Sequence, residues 1–223
     1  MNHTSPFYTS DDFSHELLLL EVITRLQTLL AMQSLNKERT EVPYLAVAES
    51  CTGGLLSHWF TTQAGSSQWF KGGMVVYHNH LKTTWLGVKK NILVQEGAVS
   101  EACSHAMAEG LQQKSQASIV LTTTGIASPN VHASEKPEGT LFISSKIMPP
   151  DLVLTPPPLN TPPFTMPPIL SVKRYWIEPP YSASTETVRA THQRAFAYQA
   201  LLHLQEHLHQ WLDVIHLLTE HRT

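Results

Sequence analysis

Two short clusters hold the residue types from which a hydrolytic centre can be assembled. Ala48 to Gly54 read A-E-S-C-T-G-G, placing Ser50, Cys51 and Thr52 directly before the amides of Gly53 and Gly54. The apolar run Tyr44-Leu45-Ala46-Val47 precedes them and a helical pattern opens at Leu55, so the cluster sits on a strand-to-helix corner. Such a polarised corner can hold an anion, an oxyanion or a nucleophile. The second cluster, Tyr77-His78-Asn79-His80-Leu81-Lys82, follows another strand-like run and offers a phenol and an amine. A hydroxyl and an amine delivered to one edge of a sheet make a nucleophile and a base. Each residue type also has an ordinary use: a serine or threonine before a helix is a cap, a lysine on a short helix is a solvated amine, and a cysteine is often an inert buried hydrophobe.

The surrounding pattern supplies the elements that must position these groups. Strand-like runs occur at 44–48, 73–77, 118–124, 140–147 and 172–177, and helical spacing at 54–63, 79–86, 100–114 and 185–218. Ahead of them, Leu17, Leu20, Ile23, Leu26, Leu30 and Met32 mark an amphipathic N-terminal helix over 12–36, with Ser10 or Asp11 as its cap. Strands alternating with helices predict a three-layer α/β/α sandwich around a mixed sheet of about five strands, its last two antiparallel because no helix separates them. Between those two strands runs a proline-rich insertion, assigned to 149–171. The stretch from Pro149 to Pro180 contains eleven of the 15 prolines. Proline cannot donate a ladder hydrogen bond and favours an extended loop, which can serve as a docking arm for a protein partner or as a mere spacer.

Composition narrows the classes. A length of 223 residues fits one domain with extensions. A net charge of −3 with 15 Lys and Arg provides no basic face for nucleic acid. Cys51 and Cys103 lie far apart without metal or disulfide-framework spacing, which fits a reducing, cytosolic setting. The apolar stretch Leu17 to Leu20 is bounded by Asp11, Asp12 and Glu21, so neither a signal peptide nor a membrane span is expected.

Six motifs in register carry a resemblance. They are A-E-S-C-T-G-G; Gly65-Ser66-Ser67 with Phe70 and Gly72; Tyr77-His78-Asn79 with Lys82 and Leu86-Gly87-Val88; Gly97-Ala98-Val99-Ser100-Glu101 with Met107-Ala108-Glu109-Gly110; Thr124-Gly125-Ile126-Ala127; and Lys136-Pro137-Glu138-Gly139-Thr140. Over roughly 44–147 the chain resembles the nicotinamide-nucleotide amidase family, the C-terminal domain of the competence-damage-inducible protein CinA. That resemblance implies hydrolysis of the carboxamide of nicotinamide mononucleotide to nicotinic acid mononucleotide and ammonia. It further implies no cofactor, and a bacterial cytoplasmic homodimer acting in pyridine nucleotide recycling. Amide hydrolysis needs a nucleophile, a base and oxyanion donors. Ser50 is assigned as nucleophile, with Cys51 and Thr52 left open beside it. Lys82 is the base, on condition that its pKa is lowered, and Tyr77 relays or orients a proton. Substrate contacts are assigned to Glu49, Cys51, Thr52, Gly53, Gly54, Ser66, Ser67, Asn79, Thr124, Gly125 and Arg189. Asn79 would meet the amide, the amides of Thr52, Gly53 and Gly54 the oxyanion or phosphate, and Arg189, Ser66 and Ser67 are further phosphate candidates.

The chain also departs from that family. Where relatives read G-I-A-G-P followed by glycines, this sequence reads Gly125-Ile126-Ala127-Ser128-Pro129-Asn130-Val131-His132, and a Gly-Asp-Arg element is replaced by Ala183-Ser184-Thr185. These changes keep open a second reading, a catalytically silent relative that binds a nucleotide or a protein. His203 and His207 stand one turn apart on the last helix, with His209 and His216 nearby, yet no H-E-x-x-H pattern or cysteine cluster accompanies them, so no metal site is assigned.

Overall fold

The computed structural model describes residues 2–3, 15–34, 44–128, 136–148, 168–178 and 185–220. The elements are β1 (Asn2–His3), α1 (His15–Ser34), β2 (Leu45–Glu49), α2 (Leu55–Thr61), β3 (Phe70–Val75), α3 (Asn79–Leu86), α4 (Lys90–Gln95), α5 (Glu101–Ser115), β4 (Ile119–Gly125), β5 (Thr140–Ile147), β6 (Ile169–Trp176) and α6 (Thr185–Glu220). They build one mixed sheet in the order β1-β6-β5-β4-β2-β3. β2 runs parallel to both β3 and β4, whereas β4, β5 and β6 are successively antiparallel. The five expected strands are all present, and the two-residue β1 adds a short parallel edge beside β6.

Alternation along the strands sorts side chains between two apolar layers. Leu45 and Val47 of β2, with Ile119 and Leu121 of β4, face a core closed by α1, α2 and α6, to which Leu19, Phe60, Phe196 and Trp211 contribute. Ala46, Ala48 and Val120 face the opposite way, against Leu86 of α3 and Met107 and Leu111 of α5. Small residues on that face admit α5 close to the sheet. Both faces being covered, the interior strand β2, between β4 and β3, is buried along its whole length.

Several expected boundaries move. β3 begins at Phe70 rather than at 73 and ends before Tyr77, because Phe70 already pairs with Leu45. β6 begins at Ile169, paired with Ile147, so the proline-rich insertion stops short of the 171 assigned to it. α4 was not legible: none of its six residues is fully buried, and Ile92 and Leu93, half-buried against the α3–α5 core, are too few to show a helical period. The single 3-10 turn Ser66–Gln68, with no buried residue, was not legible either. Ser10 and Asp11, residues 149–167, residues 129–132 and the Ala183-Ser184 pair lie outside the described residues.

β2 and β3 are neighbours, but the chain leaves their carboxyl ends toward opposite faces. The turn after β2 enters α2 in one core, and the segment after β3 enters α3 in the other. A crevice opens where adjacent parallel strands diverge in this way, and ligands of open α/β sheets bind at such points.

Candidate active site

Ser50 is the first residue beyond β2, and its amide donates to the Thr123 carbonyl at 3.1 Å, which fixes the departure of the chain from the sheet. The next residues form a turn closed by Gly53, whose amide reaches the Ser50 carbonyl at 3.3 Å. Gly53 and Gly54 have φ of 63° and 102°, left-handed values that a side chain would strain. Across the crevice, His78 caps α3, its Nδ1 accepting from the His80 amide at 3.1 Å. The first turn of α3 then aims Lys82 inward.

Lys82 is 1 % exposed, and its Nζ lies 3.0 Å from Ser50 Oγ, 2.8 Å from the Val76 carbonyl and 3.2 Å from the Tyr77 carbonyl. The two carbonyls can only accept, so they take two N–H bonds. Burial lowers the pKa of the amine. Among the described residues Lys82 has no carboxylate partner, and its nearest titratable neighbours are the thiols of Cys51 and Cys103. Burial holds those thiols protonated, pushed up to about 12 and about 11. In the protonated form Nζ donates to all three oxygens; in the neutral form, with both hydrogens kept by Val76 and Tyr77, its lone pair faces Ser50 Oγ and can accept that hydroxyl's hydrogen.

The same geometry separates the three nucleophile candidates. Cys51 is buried and un-ionised. The Thr52 hydroxyl donates to Glu49 Oε2 at 2.8 Å and accepts from Thr123 Oγ1 at 2.9 Å, which commits its proton. Of the three, Ser50 alone has its hydroxyl within hydrogen-bond reach of Lys82.

Glu49 is fully buried and holds the turn from within. Its Oε2 accepts from Thr52 Oγ1 (2.8 Å) and the amides of Gly54 (3.0 Å) and Leu56 (3.1 Å), and its Oε1 from the Ser57 amide (2.8 Å) and hydroxyl (2.6 Å). This corrects two expectations: both Glu49 oxygens are engaged by the chain itself rather than presented to a ligand, and the Gly53 and Gly54 amides are committed. The amides of Cys51 and Thr52, by contrast, donate to no backbone carbonyl among the described residues, the Cys51 amide facing only its own sulfur.

The remaining candidates divide. Tyr77 is exposed, and its hydroxyl accepts from Arg189 at 2.6 Å while the guanidinium sits 5.7 Å above its ring. Arg189 also donates to Ser128 Oγ at 3.0 Å, so the residue that replaces a family glycine supplies one of its partners. Asn79 is exposed at the start of α3, on the same rim. Thr124 is buried and donates to the Ala98 carbonyl at 2.7 Å, bracing the α4–α5 connection. Gly125 is required by packing, since a Cβ there would stand 2.6 Å from the Thr140 carbonyl and 3.2 Å from Cys51 Sγ. Ser66 and Ser67 belong elsewhere: their turn precedes β3, and Trp69 accepts from the Leu45 amide at the start of β2. Within one chain they lie at the amino ends of the parallel strands, away from Ser50. No group of three or more His, Cys, Asp or Glu side chains able to hold a metal occurs among the described residues. His203 and His207 are buried around Ser145 instead, at 2.9 Å and 2.6 Å.

The model of the CinA C-terminal domain family matches residues 27–150. The chain belongs to that family. A CinA-like protein of Desulfotalea psychrophila is 48 % identical over 101 residues, covering 45 % of this chain and 24 % of the relative, and one of Thermotoga maritima is 50 % identical over 99 residues, covering 44 % and 24 %. The chain thus spans about a quarter of the length of the curated relatives it matches. Among solved structures, a CinA superfamily protein of Enterobacter cloacae superposes with a TM-score of 0.65 at 21 % identity, covering 93 % of this chain and 99 % of its own. One of Klebsiella pneumoniae gives 0.60 at 25 %, covering 86 % and 98 %. These CinA structures share the α/β sandwich described above.

Proposed function

We propose that this CinA domain is an amidohydrolase that cleaves the carboxamide of nicotinamide mononucleotide, giving nicotinic acid mononucleotide and ammonia by a Ser-Lys mechanism. The observation that carries the reading is the 3.0 Å approach of Lys82 Nζ to Ser50 Oγ, with the other two lysine contacts made to carbonyls. In the acylation step, the Ser50 proton passes to the Lys82 lone pair as Oγ bonds to the carboxamide carbon. The resulting oxyanion is received by the amides of Cys51 and Thr52, which no backbone carbonyl occupies. Lys82 returns its proton to the amide nitrogen, the C–N bond breaks and ammonia leaves. Water, deprotonated by Lys82, then attacks the ester; Ser50 recovers its proton and the carboxylate product departs. Tyr77 positions the base through its backbone carbonyl, and its ring forms the rim with Arg189 and Asn79. A homodimer working in a bacterial cytoplasm is part of the same proposal; no helix among the described residues is long and apolar enough to cross a membrane.

The test is ammonia release from the mononucleotide by the wild type beside Ser50→Ala and Lys82→Ala. Both variants are expected to lose about 10³-fold or more in kcat while remaining folded by circular dichroism. A wild type that releases no ammonia at high enzyme concentration would leave the domain a nucleotide- or protein-binding module.

A further inference from the structure

Beside the Ser50 turn lies a pocket of about 430 Å³ between the start of α2 and the facing side of α6, with Thr52, Gly53 and Gly54 on one wall and His58, Gln193 and Arg194 among the others. Ser50 and Lys82 do not line it, so it adjoins the reacting groups through the turn that follows the nucleophile. None of its lining residues is acidic. Arg194 is exposed and has neither ion pair nor hydrogen bond among the described residues, and His58, also exposed, stands across from it on α2. Gln193 Nε2 is 3.2 Å from where a Cβ on Gly53 would stand, so its carboxamide reaches over the glycine wall. The backbone amides of Gly54, Leu56 and Ser57 are consumed by Glu49. The amides of Gly53, Leu55 and His58 are engaged by the chain as well, so apart from the Thr52 amide the donors that this pocket offers an anion are side chains.

We propose that this pocket receives a phosphate monoester carried by the substrate, with Arg194 as its anchor and His58 and Gln193 as flanking donors. A guanidinium presents a planar fork to two oxygens of one anion. Donors converging from α2 and α6 suit a tetrahedral group with three terminal oxygens better than a planar carboxylate with two. The position, two residues past the nucleophile, leaves the reacting carboxamide at Ser50 and the phosphate at the far end of the ligand. Arg189, five residues earlier on α6, is held instead by Tyr77 and Ser128. The use made of the pocket rests on the proposed amidase reading; its anion affinity does not.

The experiment separates the two. In the Ser50→Ala background, where turnover is blocked, ribose 5-phosphate and ribose are titrated by calorimetry into chains carrying Arg194 or Arg194→Gln. The phosphate ester is expected to bind and the free sugar not, with Arg194→Gln weakening the ester by about ten-fold or more. In the chain with Ser50 intact, Arg194→Gln is expected to raise KM for nicotinamide mononucleotide by about the same factor, leave kcat within about two-fold, and leave nicotinamide riboside hydrolysis unchanged. Equal ester affinity with and without Arg194, or no ester binding at all, overturns the proposal. Arg194-dependent ester binding by a chain that releases no ammonia upholds the pocket and overturns the amidase reading.

Discussion

Among the described residues Lys82 enters the interior without a counter-ion, so its protonation is coupled to folding and, under the proposed mechanism, to reaction. In its proposed role as general base it would act in the neutral form, so kcat/KM for amide cleavage is expected to rise as pH climbs through its lowered pKa, and the rising limb should lie below 10.5, the ordinary lysine value. The fold responds with a defined sign. The unfolded chain holds the Lys82 proton up to about that ordinary value and the folded chain releases it earlier, so between the two the unfolded state binds more protons and stability rises with pH. The Tm difference between wild type and Lys82→Met is thus expected to move in favour of the wild type from neutral pH toward pH 10; a difference flat with pH would contradict a neutral amine. At this scale the sequence was informative where a motif adjoined a strand end. Ser50 and Lys82 stand 32 positions apart, yet each follows one of two neighbouring parallel strands, which lets the sequence place them at one edge of the sheet, and their polar atoms lie 3.0 Å apart. It was uninformative about Glu49, since a carboxylate inside a functional motif looks like a ligand group until its five donors are seen. Ser66 and Ser67 misled for a related reason: a motif does not say which end of a strand it occupies.

Helix placement depends on a few contacts with no tolerance. On α5, a Cβ at Gly110 would stand 1.7 Å from the Leu86 carbonyl at the end of α3. Gly110→Ala must push α3 and α5 apart, and α3 carries Lys82. Overpacking of this kind costs about 1–3 kcal/mol, so a lower Tm is expected together with a loss of turnover larger than the unfolded fraction explains, measured by calorimetry and ammonia release on the same sample. α6 is fixed on the opposite face by a buried polar network. Ser145 Oγ lies between His203 Nε2 and His207 Nδ1, and the Tyr175 hydroxyl is 3.2 Å from His203 Nδ1. Burial lowers the two imidazoles from 6.5 to about 3 and about 4. Both are neutral in the folded chain, whereas the unfolded chain protonates them below pH 6.5, so stability is present above that value and lost as pH falls toward 4. His203→Gln is expected to lower Tm at neutral pH and to flatten its decline between pH 6.5 and 4. The periodicity of α6 identified the helix but not this network, because histidines on an apolar stripe acquire meaning only from Ser145 and Tyr175 on strands more than 25 residues away.

Across the whole molecule, the sheet separates two ends with different tasks. The carboxyl ends of β2, β3 and β4 surround Ser50, and the register of β4 with β5 runs from Gly125↔Leu141 at that end to Ile119↔Ile147 at the other. Because Ile147 pairs with Ile169, the proline-rich segment leaves and re-enters the sheet at the end remote from the crevice. Replacing residues 149–167 by a four-residue turn is therefore expected to leave kcat/KM within about two-fold and Tm unchanged or higher, since shortening a loop reduces its closure entropy; a large loss of turnover would assign the segment a part in catalysis. Alternating strands and helices made the architecture legible, but the end of the sheet at which each insertion joins depended on register, which composition does not encode. The divergence of the chain after β2 and β3 has one more consequence. Ser50 leaves β2 toward the layer of α1, α2 and α6 and Lys82 stands on that of α3, α4 and α5, so under the proposed Ser-Lys mechanism the gap between Oγ and Nζ works as a caliper across the sheet. Sliding one layer against the other by a fraction of an ångström opens it, and reactivity becomes a gauge of how the two cores are seated.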